Sequence, residues 1–257
     1  MDLFVRESGA TGAPAVVFLH GGQLSGWSLT PVIERLPVYH CLVPDLPQYG
    51  RSSGQGPFDI EKAAHAVARV IRARAPSGRV HLVGYSLGAQ VGVQLLAAEP
   101  ELVNRAVLCG PIVNTLPAVR LTQRVLGLFA RNSWPAWTAK RGRDARRAGI
   151  PVAHIEDYRA DTRAIGSTEL AGIVRASVGF TVPEGLERVA APTLIITGAN
   201  EIPLARHWAA AVAGPLPNAV RRIATGMDHD WPLHQPELFA RTVDGWLSEG
   251  TLPAEIA

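Results

Sequence analysis

The chain of 257 residues is poor in cysteine, in charge and in long apolar segments. Its two cysteines, Cys41 and Cys109, each border a predicted buried strand, so we expect free thiols in a reducing compartment and no disulfide framework. No apolar run approaches the ~18 residues needed to span a bilayer. Residues 1–7 lack the basic and then apolar pattern of a secretory signal. These absences predict a cytoplasmic protein without a membrane span.

The usual signals for metals, phosphate groups and nucleic acids are also missing. The histidines show no metal-ligand spacing, and the two cysteines stand too far apart in the sequence to suggest a zinc site. No glycine-rich phosphate loop is present. The basic run at 140–147 has no interleaved aromatic residue and no accompanying nucleic-acid fold signature. We interpret it as a solvated face, with contact to an anion as the alternative, and predict no metal and no nucleic-acid partner.

What the chain does have is a regular alternation of short apolar runs and helical segments. The runs predict buried strands at 15–19, 41–43, 80–83, 106–109, 193–196 and 219–223. Helices are predicted between and after them at 25–36, 60–75, 86–99, 204–212 and 236–247. This alternation is typical of the α/β class, with a mostly parallel, doubly wound sheet covered by helices on both faces. Residues 3–7 are a candidate antiparallel edge strand.

One long interval, 113–188, interrupts this alternation. It contains no convincing buried strand, and at roughly 75 residues it is too long for a loop in a compact domain. We predict a helical cap at 113–188, inserted into a core formed by 1–112 and 189–257. The cap should lie over the carboxyl ends of the strands, where open α/β sheets bind ligands. Its aromatic residues either form a small core of the cap or line an apolar pocket. They are Phe129, Trp134, Trp137 and Phe180.

The pentapeptide Gly84-Tyr85-Ser86-Leu87-Gly88 places a serine on a sharp turn between a predicted strand and a predicted helix. In so tight a turn, the neighbours two residues away on either side must be nearly free of side chain, which accounts for the two glycines. The turn exposes the hydroxyl and directs the helix N-terminus at whatever the hydroxyl attacks. This setting predicts Ser86 as a nucleophile.

A serine hydroxyl needs a base to take its proton, and the base needs a third group to hold its tautomer. His229 lies on the loop after the last predicted strand, and Glu201 follows the strand at 193–197. The order serine, acid, histidine is the one expected on such a sheet. Asp228 and Asp230 are poorer candidates for the acid, because side chains adjacent to the histidine rarely turn back to orient its ring.

Several motifs resemble those of the α/β-hydrolase fold superfamily, in the right order and spacing. They are Leu19-His20-Gly21-Gly22, Pro44-Asp45-Leu46-Pro47 with Tyr49-Gly50-Arg51-Ser52, the pentapeptide around Ser86, and Gly226-Met227-Asp228-His229. The resemblance covers nearly the whole chain apart from the cap and implies a sheet of the eight-stranded type. It implies Ser86 as nucleophile and His229 as general base. It also implies an oxyanion hole formed by the backbone amides of Leu87 and Gly22, with Gln23 as the neighbouring candidate for the second.

Glu201 departs from the family pattern, in which the matching residue is mostly aspartate. Some α/β hydrolases use glutamate at this position, so we predict Glu201 as the acid of the catalytic triad. His20 is interpreted as a brace of the oxyanion loop, and Asp45 as an anchor of the loop at 44–52.

These residues predict a serine hydrolase that cleaves a small to medium, largely apolar carboxylic ester or lactone through an acyl-enzyme and needs no cofactor. Predicted substrate contacts are Trp27, Phe129, Trp134 and Trp137. We expect the binding partner to be a small-molecule substrate. For the oligomeric state, the sequence is compatible with a monomer and with a homodimer.

Alternatives on the same residues are hydrolysis of a C–C, amide or thioester bond, a hydroxynitrile-type lyase, and binding of a small molecule without catalysis. A pocket lysine would favour the lyase. The lysines of this chain, Lys62 and Lys140, lie in a predicted helix and in the basic run.

Overall fold

A computed structural model describes residues 2–115, 150 and 152–257. Its strands form one sheet in the order β1-β3-β2-β4-β5-β6-β7. Their bounds are β1 (Val5–Ser8), β2 (Ala15–Leu19), β3 (His40–Pro44), β4 (Val80–Tyr85), β5 (Val103–Cys109), β6 (Thr193–Gly198) and β7 (Ala219–Ala224). Strand β1 is antiparallel to β3, and the other neighbours are parallel. The mostly parallel α/β sheet is confirmed, with seven strands in the described part of the chain.

Helices cover both faces of this sheet. Their bounds are α1 (Thr30–Ile33), α2 (Ile60–Arg74), α3 (Leu87–Ala98), α4 (Ile155–Ala164), α5 (Ser167–Val178), α6 (Pro203–Ala213), α7 (Trp231–His234) and α8 (Pro236–Ser248). Helices α2 and α3 pack on one face, and α1 and α8 on the other. In β2, Val17 belongs to the first core and Phe18 to the second. Because successive strand side chains point to opposite faces and both faces are covered, a continuous apolar run is the expected sequence of such a strand.

Strand β7 corrects one prediction. The apolar run at 219–223 was expected to be a buried strand, but it forms the edge of the sheet, and Arg221 and Arg222 are exposed. Charged side chains on an edge strand discourage pairing with other chains. The two adjacent arginines within 219–223 indicate an exposed strand, and the interpretation of this run as apolar overlooked them.

An inserted helical region lies between β5 and β6, and it contains α4 and α5. It is joined to the core through Gln90, a fully buried residue of α3. The Gln90 amide donates to the carbonyls of Ile112 (2.6 Å) and Ser177 (2.8 Å), and it accepts from the Ser177 hydroxyl (2.8 Å). The bounds 113–188 stay a prediction, and Phe129, Trp134 and Trp137 lie outside the described residues.

Cys41 and Cys109 are free and buried, as predicted. Burial raises the pKa of Cys41 to about 11 and that of Cys109 well above its usual value. Both thiols therefore stay protonated near neutral pH. In the part of the chain that the structure describes, no helix is long and apolar enough to cross a membrane.

Candidate active site

Ser86 occupies a strained turn at the carboxyl end of β4. Its φ of 53° and ψ of −113° lie outside the regions that L-residues commonly adopt. Hydrogen bonds hold this conformation from both sides. The Ser86 amide donates to the carbonyl of Cys109 (2.8 Å), and the Ser86 carbonyl accepts from the amides of Ala89 (3.0 Å) and Gln90 (3.2 Å). Strain that is held in this way is typical of functional positions.

The glycines at 84 and 88 are required by close backbone contacts. A Cβ atom on Gly84 would lie 2.6 Å from the carbonyl oxygen of Gly88, so these two residues constrain each other. A Cβ atom on Gly88 would overlap the carbonyl of Leu19 in β2. The spacing of the pentapeptide therefore has a steric cause: α3 starts so close to β2 and β4 that no side chain fits.

His229 and Glu201 come from two loops that are joined by hydrogen bonds. The Asn200 amide donates to the carbonyl of Met227 (2.8 Å), and the Asn200 side chain donates to that of Gly226 (3.0 Å). Gly198 permits the close approach, because a Cβ atom there would lie 2.5 Å from the carbonyl oxygens of Met227 and Asp228. The ends of β6 and β7 thereby place the acid beside the histidine.

Ser86, His229 and Glu201 form a continuous chain of hydrogen bonds. Ser86 Oγ lies 2.9 Å from His229 Nε2, and His229 Nδ1 lies 2.8 Å from Glu201 Oε2. The other carboxylate oxygen, Glu201 Oε1, accepts from the Gly198 amide at 2.6 Å. Since Glu201 can only accept when ionised, Nδ1 carries the imidazole proton and Nε2 is left to accept from the serine.

The charge state of His229 is set by opposing effects. Burial lowers its pKa, but the hydrogen bond and the charge of Glu201, with smaller contributions from Asp230 and Asp228, outweigh burial and raise the pKa above its ordinary value. Gly110, at the end of β5, makes room for the ring. It has a φ of 61°, and a Cβ atom there would lie 2.7 Å from His229 Cε1. No recognised motif contains Gly110, so the sequence alone does not indicate its place beside His229.

Neither aspartate that flanks His229 takes the place of Glu201. Asp230 accepts a hydrogen bond from the hydroxyl of Tyr85, and burial raises the pKa of Tyr85 well above its usual value. Asp228 accepts from the amide of Asp230 at 3.1 Å. Tyr85, the residue before Ser86 in the pentapeptide, thus braces the loop that carries His229.

The predicted oxyanion donors lie side by side. Leu87 is the first residue of α3, where a backbone N–H has no partner within the helix. A Cβ atom on Gly22 would lie 3.8 Å from Leu87 Cβ, so the two residues are neighbours.

The predicted braces of this region are confirmed. His20 Nδ1 donates to the carbonyl of Gly21 (2.8 Å), and Nε2 accepts from the Leu46 amide (2.9 Å). Burial lowers the pKa of His20, which favours this neutral form. Asp45 accepts from the amides of Gly26 (2.7 Å) and Arg51 (2.9 Å).

A cavity of about 270 Å³ opens over Ser86. Its described lining combines the catalytic candidates with hydroxyl groups and a larger set of aliphatic side chains. The lining residues outside the candidate triad and the oxyanion pair are Gln23, Leu24, Tyr49, Tyr85, Ile150, Tyr158, Leu170, Ile173, Val174, Ser177, Val178, Asp230 and Leu233.

Trp27, a predicted substrate contact, does not line this described cavity. Its side chain is buried outside the cavity. The indole nitrogen donates to Asp161 of α4 at 2.7 Å, and the ring stacks on that of His154 with 5.4 Å between the ring centroids. The structure thus gives Trp27 a contact with the inserted helices. Asp161, which accepts the hydrogen bond, lies 134 positions away from Trp27 in the sequence, and no local motif indicates this contact.

Known proteins resemble this chain in sequence and in structure. The model of the alpha/beta hydrolase family matches residues 16–242. An AB hydrolase superfamily protein of Gibberella zeae is 28% identical over 249 residues, which cover 94% of this chain and 83% of the relative. Lipase LipV of Mycobacterium tuberculosis is 33% identical over 113 residues, 44% of this chain and 43% of the lipase. The esterase EaEST of Exiguobacterium antarcticum has a TM-score of 0.79 at 17% identity, with 96% of each chain covered.

The family match extends over most of the chain, and the chain therefore belongs to the alpha/beta hydrolase family. Esterases and lipases are among its distant relatives. The likeness to the solved esterase establishes the fold alone, because the identity is low.

Proposed function

We propose that this protein is a serine hydrolase that cleaves small to medium, largely apolar carboxylic esters or lactones. The observation that carries the proposal is the hydrogen-bond chain from Glu201 through His229 to Ser86, which ends at a cavity. A serine beside a base that is itself oriented by an acid is the arrangement that activates a hydroxyl for acyl transfer.

In the first half of the reaction, Ser86 Oγ attacks the carbonyl carbon and its proton passes to His229 Nε2. The Glu201 carboxylate stabilises the imidazolium that forms. The amides of Leu87 and Gly22 donate to the oxyanion of the tetrahedral intermediate, and loss of one such donor commonly costs ~10²–10³ in rate. The C–O bond to the leaving group then breaks, and the departing oxygen takes the proton from His229.

In the second half, His229 takes a proton from water as the water oxygen attacks the acyl carbon. Collapse of the second intermediate releases the carboxylic acid, and His229 returns the proton to Ser86. No group beyond these side chains and amides is needed to balance the steps.

The size and lining of the cavity support the substrate class. Its volume of about 270 Å³ is near the lower end of ligand pockets, which favours a short acyl group. Aliphatic side chains such as Leu170, Ile173 and Val174 provide an apolar wall. Contacts of the substrate with Phe129, Trp134 and Trp137 stay part of the proposal.

Hydrolysis of p-nitrophenyl esters from acetate to octanoate, and of simple lactones, tests the proposal. We expect turnover of the short esters by the wild-type protein and a loss of at least about 10⁵-fold in Ser86→Ala. Ser248→Ala is the matched control, because Ser248 is exposed in α8 and its hydroxyl bonds only to the Asp244 carbonyl in the described structure. Turnover that survives in Ser86→Ala would contradict the mechanism, and ligand binding without turnover would favour a non-catalytic protein.

A further inference from the structure

Tyr49 has a buried hydroxyl that the proposed mechanism does not use. Its side chain lines the cavity over Ser86, and the residue has no exposed surface. No hydrogen bond of standard geometry reaches its oxygen from the described residues. Burial raises the pKa of Tyr49. The backbone N–H of Gln23, near the hydroxyl oxygen, has a smaller effect that lowers the pKa. A backbone N–H can only donate, so it leaves the phenolic proton without an acceptor.

The loop around Tyr49 holds this side chain in place. Gln48 and Gly50, on either side of it, both have positive φ angles, of 68° and 48°. The ring of Tyr49 packs edge-on against His20 at 5.2 Å and Phe58 at 6.1 Å. A fixed donor without an acceptor costs stability, so its presence at a cavity indicates a ligand atom as its partner.

The Tyr49 hydroxyl lies close to the predicted oxyanion donors. A Cβ atom on Gly22 would have Tyr49 Oη at 3.7 Å and Leu87 Cβ at 3.8 Å as its nearest neighbours. These three residues also line the cavity over Ser86. A substrate bound in the cavity therefore brings its atoms near the Tyr49 hydroxyl.

The proposed mechanism decides which part of the substrate lies near this hydroxyl. The carbonyl oxygen points to the amides of Gly22 and Leu87, and the leaving group must lie on the His229 side of Ser86, because His229 Nε2 gives it a proton. The acyl chain then takes the remaining direction, along the wall of the cavity that includes Tyr49. We propose that the Tyr49 hydroxyl determines specificity by donating a hydrogen bond to an oxygen substituent on the acyl chain, close to the scissile carbonyl. The preferred substrates would then be esters of short alkoxy or otherwise oxygenated acids.

This inference rests on the proposed function, and a matched pair of esters tests it. p-Nitrophenyl methoxyacetate and p-nitrophenyl butyrate have the same leaving group and differ by an oxygen in place of a methylene. For Tyr49→Phe we expect kcat/KM for the methoxyacetate to fall about tenfold and that for the butyrate to stay unchanged. The melting temperature should stay close to that of the wild type, because the lost hydroxyl proton has no protein acceptor.

Tyr39→Phe is the matched control. The Tyr39 hydroxyl donates to Asp244 at 2.9 Å, and this residue is not among those that line the cavity. Its loss should lower the melting temperature and leave the ratio between the two esters unchanged. An equal loss on both esters in Tyr49→Phe would overturn the inference, because it would place the hydroxyl on the shared carbonyl or give it a structural role. No loss on either ester would overturn it as well.

A binding measurement keeps the inference testable if no ester is hydrolysed. Ligand-observed NMR would give the affinities of ethyl methoxyacetate and ethyl butyrate for Ser86→Ala, with and without Tyr49→Phe. We expect Tyr49→Phe to weaken only the methoxyacetate, about tenfold. If ethyl methoxyacetate bound with the same affinity with and without Tyr49→Phe, the proposed subsite would be overturned. A Tyr49-dependent preference in a protein that does not hydrolyse esters would instead overturn the proposed function alone.

Discussion

The sheet side and the helix side of the cavity are built by different means. On the sheet side, backbone atoms approach so closely that only glycine fits at Gly84 and Gly88, and the His229 ring leaves no room for a side chain at Gly110. On the helix side, the wall consists of side chains from α4 and α5, such as Tyr158 and Ile173. Backbone contacts of this kind fix positions and tolerate no change, whereas side chains on a helix face are exchangeable. We therefore expect the sheet side to set the reaction, and the helix side together with Tyr49 to set the choice of substrate.

After Ser86→Ala, the largest effect should come from Glu201→Gln on the sheet side. The amide keeps the shape of the side chain but removes the charge that stabilises the imidazolium, so kcat should fall roughly 10³–10⁴-fold. Glu201 raises the pKa of His229, and the base must be neutral to act. Loss of the charge should therefore move the acid limb of the kcat/KM profile to lower pH. An unchanged kcat, measured from pH 5 to 9, would assign the role of the acid to another residue.

A pair of glycine substitutions compares the two sides directly. Gly88→Ala should destabilise the fold by at least about 3 kcal/mol, because the new methyl group meets backbone that cannot move. Gly172→Ala, in α5, should stabilise it by about 0.5–1 kcal/mol, because no described atom lies within 4 Å of the added Cβ. Urea denaturation gives both values. Equal stabilities of the two variants would contradict the claim that the sheet side tolerates substitution less than the helix side.

The hydrogen bond between Trp27 and Asp161 connects the sheet side with the helix side. We expect the ionisation of Asp161 to make the stability of the protein depend on pH. Burial, opposed by hydrogen bonds from Trp27 and Ser25, raises the pKa of Asp161 from 3.8 to about 6. A carboxyl whose pKa is raised by folding binds more protons in the folded state, so its contribution to stability falls as the pH rises from about 4 to 6.

Asp161→Asn removes this titration and can keep the acceptor for Trp27. Relative to the wild type, its free energy of unfolding should therefore increase by on the order of 2 kcal/mol between pH 4 and pH 7. Denaturation at both pH values tests this, with Glu156→Gln in the same helix as the exposed control. A difference between variant and wild type that does not change with pH would contradict the burial of an ionisable carboxyl at this junction.

The smallest effect should come from a side chain of the helix wall. Ile173→Ala enlarges the cavity next to Val174, and kcat/KM for acetate should fall only a few-fold while that for octanoate rises. Steady-state kinetics on the ester series measures this shift in chain length. A loss that is large and equal for all esters would mean that the helix wall also positions the reacting groups.

The same contrast explains what the sequence could predict. Gly84, Ser86 and Gly88 form a short motif with a steric cause, and the loops of Glu201 and His229 follow strands that periodicity identifies. The edge position of β7, by contrast, depends on the order of strands in the whole sheet. The placement of Trp27 depends on Asp161, which is remote in the sequence, and the position of the Tyr49 hydroxyl beside Gly22 depends on how two separate loops pack. Such features arise only when distant segments meet.

The measurement that tests the account most directly is labelling with a fluorophosphonate, a reagent that reacts with activated serines. The adduct is mapped by mass spectrometry in the wild type, in Ser86→Ala and in Ser248→Ala. We expect a single adduct on Ser86 in the wild type and in Ser248→Ala, and none in Ser86→Ala. No adduct in the wild type, under conditions that label an ordinary esterase, would contradict the claim that Glu201 and His229 activate Ser86.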